Sequence, residues 1–187
     1  AALIGTGPTY GVDVSGLTAN GTVTASIAAG VATDAAGNNN AASISTDNTV
    51  TYDTVAPTVT IDQAVGQLDP TNASPINFTV IFSEPVTGFT AGDVTLSGTA
   101  NATTAVVTGS GTTYNVAVSG MTGSGTVIAD IAASVATDLA GNDNVASTST
   151  DNTVTYDITR PDVTINQAIG QADPTNASPI NFTVEFT

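Results

Sequence analysis

The heptapeptide that runs from Asp47 to Asp53, Asp-Asn-Thr-Val-Thr-Tyr-Asp, recurs letter for letter from Asp151 to Asp157, a shift of 104 positions. The identity extends well beyond it. From Asp47 to Ser83, 28 of 37 positions match those from Asp151 to Thr187; from Gly7 to Asp53, 34 of 47 match those from Gly111 to Asp157. Neither alignment needs a gap, so the chain is a tandem array whose unit is the size of one small domain. Residues 54–157 make one complete unit, residues 1–53 the second half of another, and residues 158–187 the first third of the next. Both ends fall inside a repeat, as expected of a window on a longer polypeptide. The missing strands of each partial unit would then come from further sequence or from another copy. A catalyst needs one good site, whereas near-copies in series suit a structural or adhesive role.

Charge narrows the partners. Sixteen Asp and Glu stand against a single basic residue, Arg160, for a formal charge of −15. No basic patch exists to neutralise phosphates, which argues against nucleic acid and anionic membranes. No stretch is long and apolar enough to read as a membrane span. His, Cys and Lys are absent. The chain therefore lacks the parts of a Ser-His-Asp triad, a Cys nucleophile, a Schiff base or a His-bearing zinc site. A carboxylate pair could serve glycoside hydrolysis, but Glu84 is the only Glu of the complete unit and no pocket-forming aromatics accompany it. The expectation is a protein that is not an enzyme.

Alternation of period two dominates the pattern. Ile76, Phe78, Val80 and Phe82 fall on one face of a strand, with Asn77, Thr79 and Ile81 on the other. Ile81 becomes Glu185 one repeat later, which marks the solvent side. Tyr114, Val116 and Val118 repeat the pattern, as do Val127, Ala129 and Ile131. Shorter strands are expected at 58–61, 93–96, 102–108 and 149–156, with Gly, Asn and Pro between them, including a break at Gly109-Ser110-Gly111. Seven antiparallel strands at roughly ten-residue spacing, without a helical period, read as an all-β sandwich. The Ala-rich piece 131–136 is expected to be a loop or a short 3₁₀ turn.

Three segments carry a resemblance: Ala56-Pro57-Thr58-Val59-Thr60-Ile61; the strand end Phe82-Ser83-Glu84-Pro85-Val86; and Ala136-Thr137-Asp138-Leu139-Ala140-Gly141-Asn142. Together they resemble the bacterial immunoglobulin-like tandem repeats of giant cell-surface adhesins. The resemblance covers the whole unit. It implies a seven-stranded immunoglobulin-like sandwich in a beads-on-a-string array, secretion to the bacterial cell surface, and a role as stalk or extender. It also implies calcium at the junctions between domains in several such proteins. The repeat style occurs in filament-forming surface proteins too, where copies of the chain would be partners of one another through strand exchange.

Calcium needs six to eight hard oxygen ligands, mostly from carboxylates and carbonyls. The acidic residues gather near the expected domain ends. One junction is expected to draw on Asp34, Asn38, Asp53 and Asp69, and the next on Asp138, Asn142, Asp143, Asp157 and Asp173. The bland reading of Asp138 and Asp69 is turn capping through backbone N–H groups. Neither segment has the spacing of an EF-hand loop. A carbohydrate- or ice-binding module is the competing binding function. It needs an exposed aromatic or flat face, whereas Phe78, Phe82, Tyr114 and Tyr156 fit the inward register and Phe89 sits in a loop-like context.

Overall fold

In the long strand that begins at Ile76, every second side chain is Ile, Phe or Val, and those four side chains are buried while Ile81 between them is exposed. That alternation sets one face of a sheet against a core, and the same rule builds its partners. The computed structural model describes residues 1–187 throughout. Residues 1–53 hold β1 (Ala2–Ile4) paired with β2 (Gly11–Asp13), and β3 (Gly21–Thr24) paired with β4 (Thr49–Tyr52). The complete unit holds β5 (Val59–Gln63), β6 (Ile76–Val86), β7 (Val94–Ser97), β8 (Thr104–Ser119), β9 (Gly125–Ile131) and β10 (Thr153–Tyr156). The last segment is a hairpin of β11 (Val163–Gln167) and β12 (Phe182–Phe186).

Two antiparallel sheets make the complete unit, one in the order β5-β6-β8 and the other β10-β9-β7. Their inner faces meet in a single apolar core. It includes Val59 and Ile61 from β5, Phe78 and Val80 from β6, Val116 and Val118 from β8, Val127 and Ala129 from β9, and Val154 from β10. Fully burying each Val, Ile or Phe contributes about 1.5–3 kcal/mol. The unit is the all-β, immunoglobulin-like sandwich that the sequence pattern predicts.

The chain switches sheets between β9 and β10. Val145 and Thr148 donate their N–H groups to Pro57 and Val59 at 3.0 Å each, and Gln63 donates to Asp151 at 2.6 Å. Thr60 and Thr148 pair in parallel. This segment therefore borders β5 in the first sheet before residues 153–156 join β9 in the second. Sheet-switching strands of this kind close the corner of a sandwich.

Two details of the pattern are resolved. The pieces expected at 102–108 and 114–119 are the two arms of β8, which folds back on itself as a hairpin: Thr103 donates its N–H to the Ser119 carbonyl at 3.1 Å, and their first-repeat counterparts β1 and β2 pair antiparallel. The glycines that suggest a break supply it, as the turn of that hairpin. Gly109 has φ +119°, and a Cβ there would stand 2.5 Å from the Thr113 carbonyl oxygen. The β6–β8 register shifts between Ile81 and Val86, opposite this point. Glycine here thus marks a hairpin turn, as its counterpart Gly5 does between β1 and β2. The second concerns Phe89, whose register the pattern leaves open and which is buried in the core. It packs edge-on against Phe82 and Tyr114 at ring-centroid distances of 5.4 and 5.1 Å. Such pairs add about 0.5–1.5 kcal/mol beyond burial. The Tyr114 hydroxyl donates to the Val86 carbonyl at 3.3 Å, which leaves this trio no exposed polar handle for a sugar. The segment 131–136 lies in a turn without a 3₁₀ helix; the one 3₁₀ piece is Ala91–Asp93.

Candidate metal centre

Asp138 opens the loop that follows β9, and its short carboxylate arm folds back on its own backbone. One oxygen accepts the N–H groups of Ala140 and Asn142 at 2.8 and 2.9 Å, and the other accepts the Asn142 side-chain amide at 2.9 Å. Gly141, at φ +92°, supplies the left-handed step that closes the loop. These bonds, led by the Asn142 amide, hold the Asp138 carboxyl below its ordinary range even though the residue is buried.

A backbone bridge between Thr87 and Thr137 sets this loop beside the end of β6. There Glu84 projects next to Pro85. The third member arrives from the preceding repeat: Asp53, one residue beyond β4. Carboxylate oxygens of Asp53, Glu84 and Asp138 all lie within 4.8 Å of one another. No basic group stands among them. Burial, and then the charges of Asp138 and Asp53, push the Glu84 carboxyl upward. Asp53 and Glu84 border a shallow cleft with Thr51, Pro85, Leu139 and Ala140 between the two repeats.

Asp53 is positioned with care. One of its oxygens accepts the Val55 N–H at 3.0 Å and the Asn20 side-chain amide at 2.7 Å. Asn20 in turn accepts the Thr54 N–H and hydroxyl at 3.1 and 2.8 Å. Across the junction, the Asn142 amide donates to the Asp53 backbone carbonyl at 3.3 Å. The same linker design recurs one repeat later. Asp157 accepts the Thr159 N–H at 2.8 Å and the Ser124 hydroxyl at 3.2 Å, with Ser124 in the place of Asn20. Those bonds, the Thr159 N–H foremost, lower the Asp157 carboxyl.

The structure thus regroups the expected residues. The sequence places Asp138 and Asn142 with Asp157; they lie instead with Asp53, at the end of the unit where the preceding repeat enters. The reason is the direction of β9. Gly125 at its start pairs with Tyr156, while the Asp138 loop follows its end at Ile131. Six rises of an extended chain separate the two ends by about 20 Å. Asp69 sits at the Asp157 end, where it accepts the Thr155 N–H at 2.9 Å. Asp34 and Asn38 rebuild the Asp138 loop in the first repeat, and the Asn38 amide leads the bonds that lower Asp34. Asp143 and Asp173 are exposed, Asp143 in the strand-like bridge to Thr137 and Asp173 in the β11–β12 connection. None of Asp34, Asp69, Asp143, Asp157 or Asp173 belongs to a three-acid group.

Sequence reasoning considers Glu84 only as a catalytic acid and misses its place here. The available signal is its isolation: the one Glu of the unit, immediately before Pro85, at the end of the longest alternating run. It also misses Asn144. That side chain is buried and fully paired: it accepts the N–H groups of Val135 and Ala136 at 2.9 and 2.8 Å, and donates to the carbonyls of Ala132 and Val145 at 2.9 and 2.7 Å. Asn40 makes three of these four bonds in the first repeat, to Ala32, Ala28 and Ala41.

Comparison with curated proteins and with solved structures returns no match. The model of the bacterial Ig-like domain family matches residues 53–156, which is the complete repeat and more than half of the chain. With the sandwich and the repeat that build it, this places the protein in the bacterial Ig-like domain family.

Proposed function

We propose that this chain is a non-catalytic extender segment of a secreted bacterial surface protein, in which calcium at the repeat junction limits bending. The observation that carries the reading is the meeting of Asp53 from one repeat with Glu84 and Asp138 from the next. A cluster of three acids without a cation carries unbalanced charge at neutral pH, and hard carboxylate oxygens suit calcium. The donor set fits: Asp53, Glu84 and Asp138 would hold the ion, with the remaining positions open to water. Bound there, calcium would neutralise the cluster and tie two repeats that otherwise share few contacts. No helix of the structure is long and apolar enough to cross a membrane. The acidic, Thr- and Asn-rich exterior suits an extracellular polymer that must stay soluble.

A thermal melt in excess Ca²⁺ and then in EDTA tests the reading. An ion that binds only the folded state stabilises it by about 2.7 kcal/mol at a hundred times its dissociation constant. The expected result is a calcium-dependent rise in Tm that disappears in the Asp53→Asn/Glu84→Gln/Asp138→Asn variant. An unchanged Tm in the wild-type chain overturns the calcium reading.

A further inference from the structure

The strand edges of the complete unit are unequally guarded. β7 and β10, which border the second sheet, are four residues each. β7 follows Asp93 and its Thr95 pairs with Asp130, while β10 lies between Asp151 and Asp157. The segment beside β5 ends at Asp151, whose N–H is bonded to the Asp62 carboxylate. Shortness, charge and proline are the usual guards against pairing with another chain. The outer edge of the first sheet has none of them. β6 pairs with the second arm of β8, so the first arm, residues 102–108, lies outermost, and no strand flanks its far side. From Val94 to Ala129 the sequence holds no charged side chain and no proline.

We propose that this edge pairs with the same edge of a second copy, antiparallel about a two-fold axis through Val106. Ala105 and Val107 pack against the core, whereas Thr104, Val106 and Thr108 face outward. The run Thr104-Ala105-Val106-Val107-Thr108 is the reason for a copy rather than another partner. Turned end for end, its outward face still reads Thr-Val-Thr. Thr104 then faces the partner's Thr108, and Val106 faces the partner's Val106. Cross-strand Thr–Thr and β-branched pairs of this kind favour association. A two-fold contact uses one surface twice, so self-complementarity is what it requires.

Charge selects the same edge. Each chain carries a formal charge of −15, so two copies repel wherever their acids approach. Pairing here brings together the uncharged stretch from Val94 to Ala129, and a basic partner finds no carboxylate within it. The two first sheets become one continuous sheet, and backbone N–H and C=O groups left open at each edge gain partners. So short a contact lies below the size of a stable interface, and the dimer is weak and short-lived. Added salt strengthens it by screening the remaining repulsion. Repeats in series multiply such a contact when two arrays lie side by side.

EDTA throughout keeps the test independent of the calcium reading. Sedimentation equilibrium of the 187-residue chain is expected to show average mass climbing from 18.3 kDa toward twice that value as concentration rises to about 1 mM. Val106→Glu sets two carboxylates against each other on the axis. It is expected to stay monomeric with an unchanged melt, because the side chain it replaces is exposed. The chain has no cysteine, so single Cys variants report the register. Val106 and Ile81 are each 51% exposed, but only Val106 lies on the edge. Under mild oxidation Val106→Cys is expected to form a covalent dimer at least about tenfold faster than Ile81→Cys, because pairing holds its sulfurs within reach. Thr104→Cys mixed with Thr108→Cys is expected to cross-link faster than either variant alone. A wild-type chain that stays monomeric overturns the proposal, whether its edge is idle or takes another partner. So does undiminished association in Val106→Glu, cross-linking of Val106→Cys no faster than that of Ile81→Cys, or a mixture that gains nothing over its components.

Discussion

Thr87 and Thr137 exchange both of their backbone hydrogen bonds, at 2.8 and 3.0 Å, across 50 residues of sequence. Neither residue carries a charge, yet this pair decides where two charges meet. It pins the loop that begins at Asp138 to the end of the strand that carries Glu84, on the side of the sandwich that the preceding repeat enters. Proline at position 137 removes one donor and disfavours the backbone of Ala136. Thr137→Pro is expected to cost at least about 1 kcal/mol and to abolish any calcium response, with Asp53, Glu84 and Asp138 all intact. A variant that keeps the wild-type melt would show that the loop holds its place without the bridge.

Glu84 and Asp138 respond to pH with opposite sign. Burial and two neighbouring acids raise Glu84, so its contribution to stability is fully present below the ordinary carboxylate range and is lost as pH rises through its elevated value. Hydrogen bonds lower Asp138, so its contribution is present above that range and is lost as pH falls through its depressed value. In EDTA at neutral pH, Glu84→Gln is expected to raise Tm by a few degrees, and the gain should vanish in acid. Asp138→Ala is expected to lower Tm at neutral pH and to converge with wild type in strong acid. Parallel melts of the three proteins from pH 3 to pH 8 check both slopes.

Asn144 anchors a loop from inside. Replacing it with Ala strips four backbone groups of their partner, those of Val135 and Ala136 in half-buried and buried settings, where an unsatisfied group carries a desolvation cost. Asn144→Ala is expected to destabilise the complete unit by about 2–4 kcal/mol in urea unfolding. Asn40→Ala, at the more open counterpart, should leave that transition unchanged.

Phe78 and Phe182 are the same residue in the same local sequence, one repeat apart. Phe78→Ala opens a cavity in a packed core and is expected to cost about 3–5 kcal/mol. Phe182→Ala removes an exposed ring and should leave the unfolding of residues 54–157 within about 0.5 kcal/mol of wild type. Equal losses in the two variants would mean that the hairpin belongs to the same cooperative unit.

Much of this architecture is readable from single residues. The alternation around Phe78, Tyr114 and Val127 assigns inward faces correctly because a sandwich buries one face of every strand. The turn at Gly109-Ser110-Gly111 is readable too, because two glycines between two alternating runs supply the positive φ a hairpin reversal needs. Phe89 looks like a loop residue because its burial depends on Phe82 and Tyr114, which reach it only after the sheets fold over. The site divides in the same way. The Asp138–Asn142 loop is local and announces itself in sequence. Its company is not local: Asp53 and Glu84 join it through strand direction and the Thr87 bridge.

The sheet-switching segment also governs how the unit bears load. Its first strand, β5, and the stretch around Thr148 run parallel, joined by the Val145, Thr148 and Gln63 backbone bonds. Tension arriving through Asp53 and leaving through Asp157 pulls these neighbours lengthwise past each other. Under that geometry the bonds cannot break in succession, as they would in a zipper opened from its end. They resist together, and the domain yields only when the whole set shears at once.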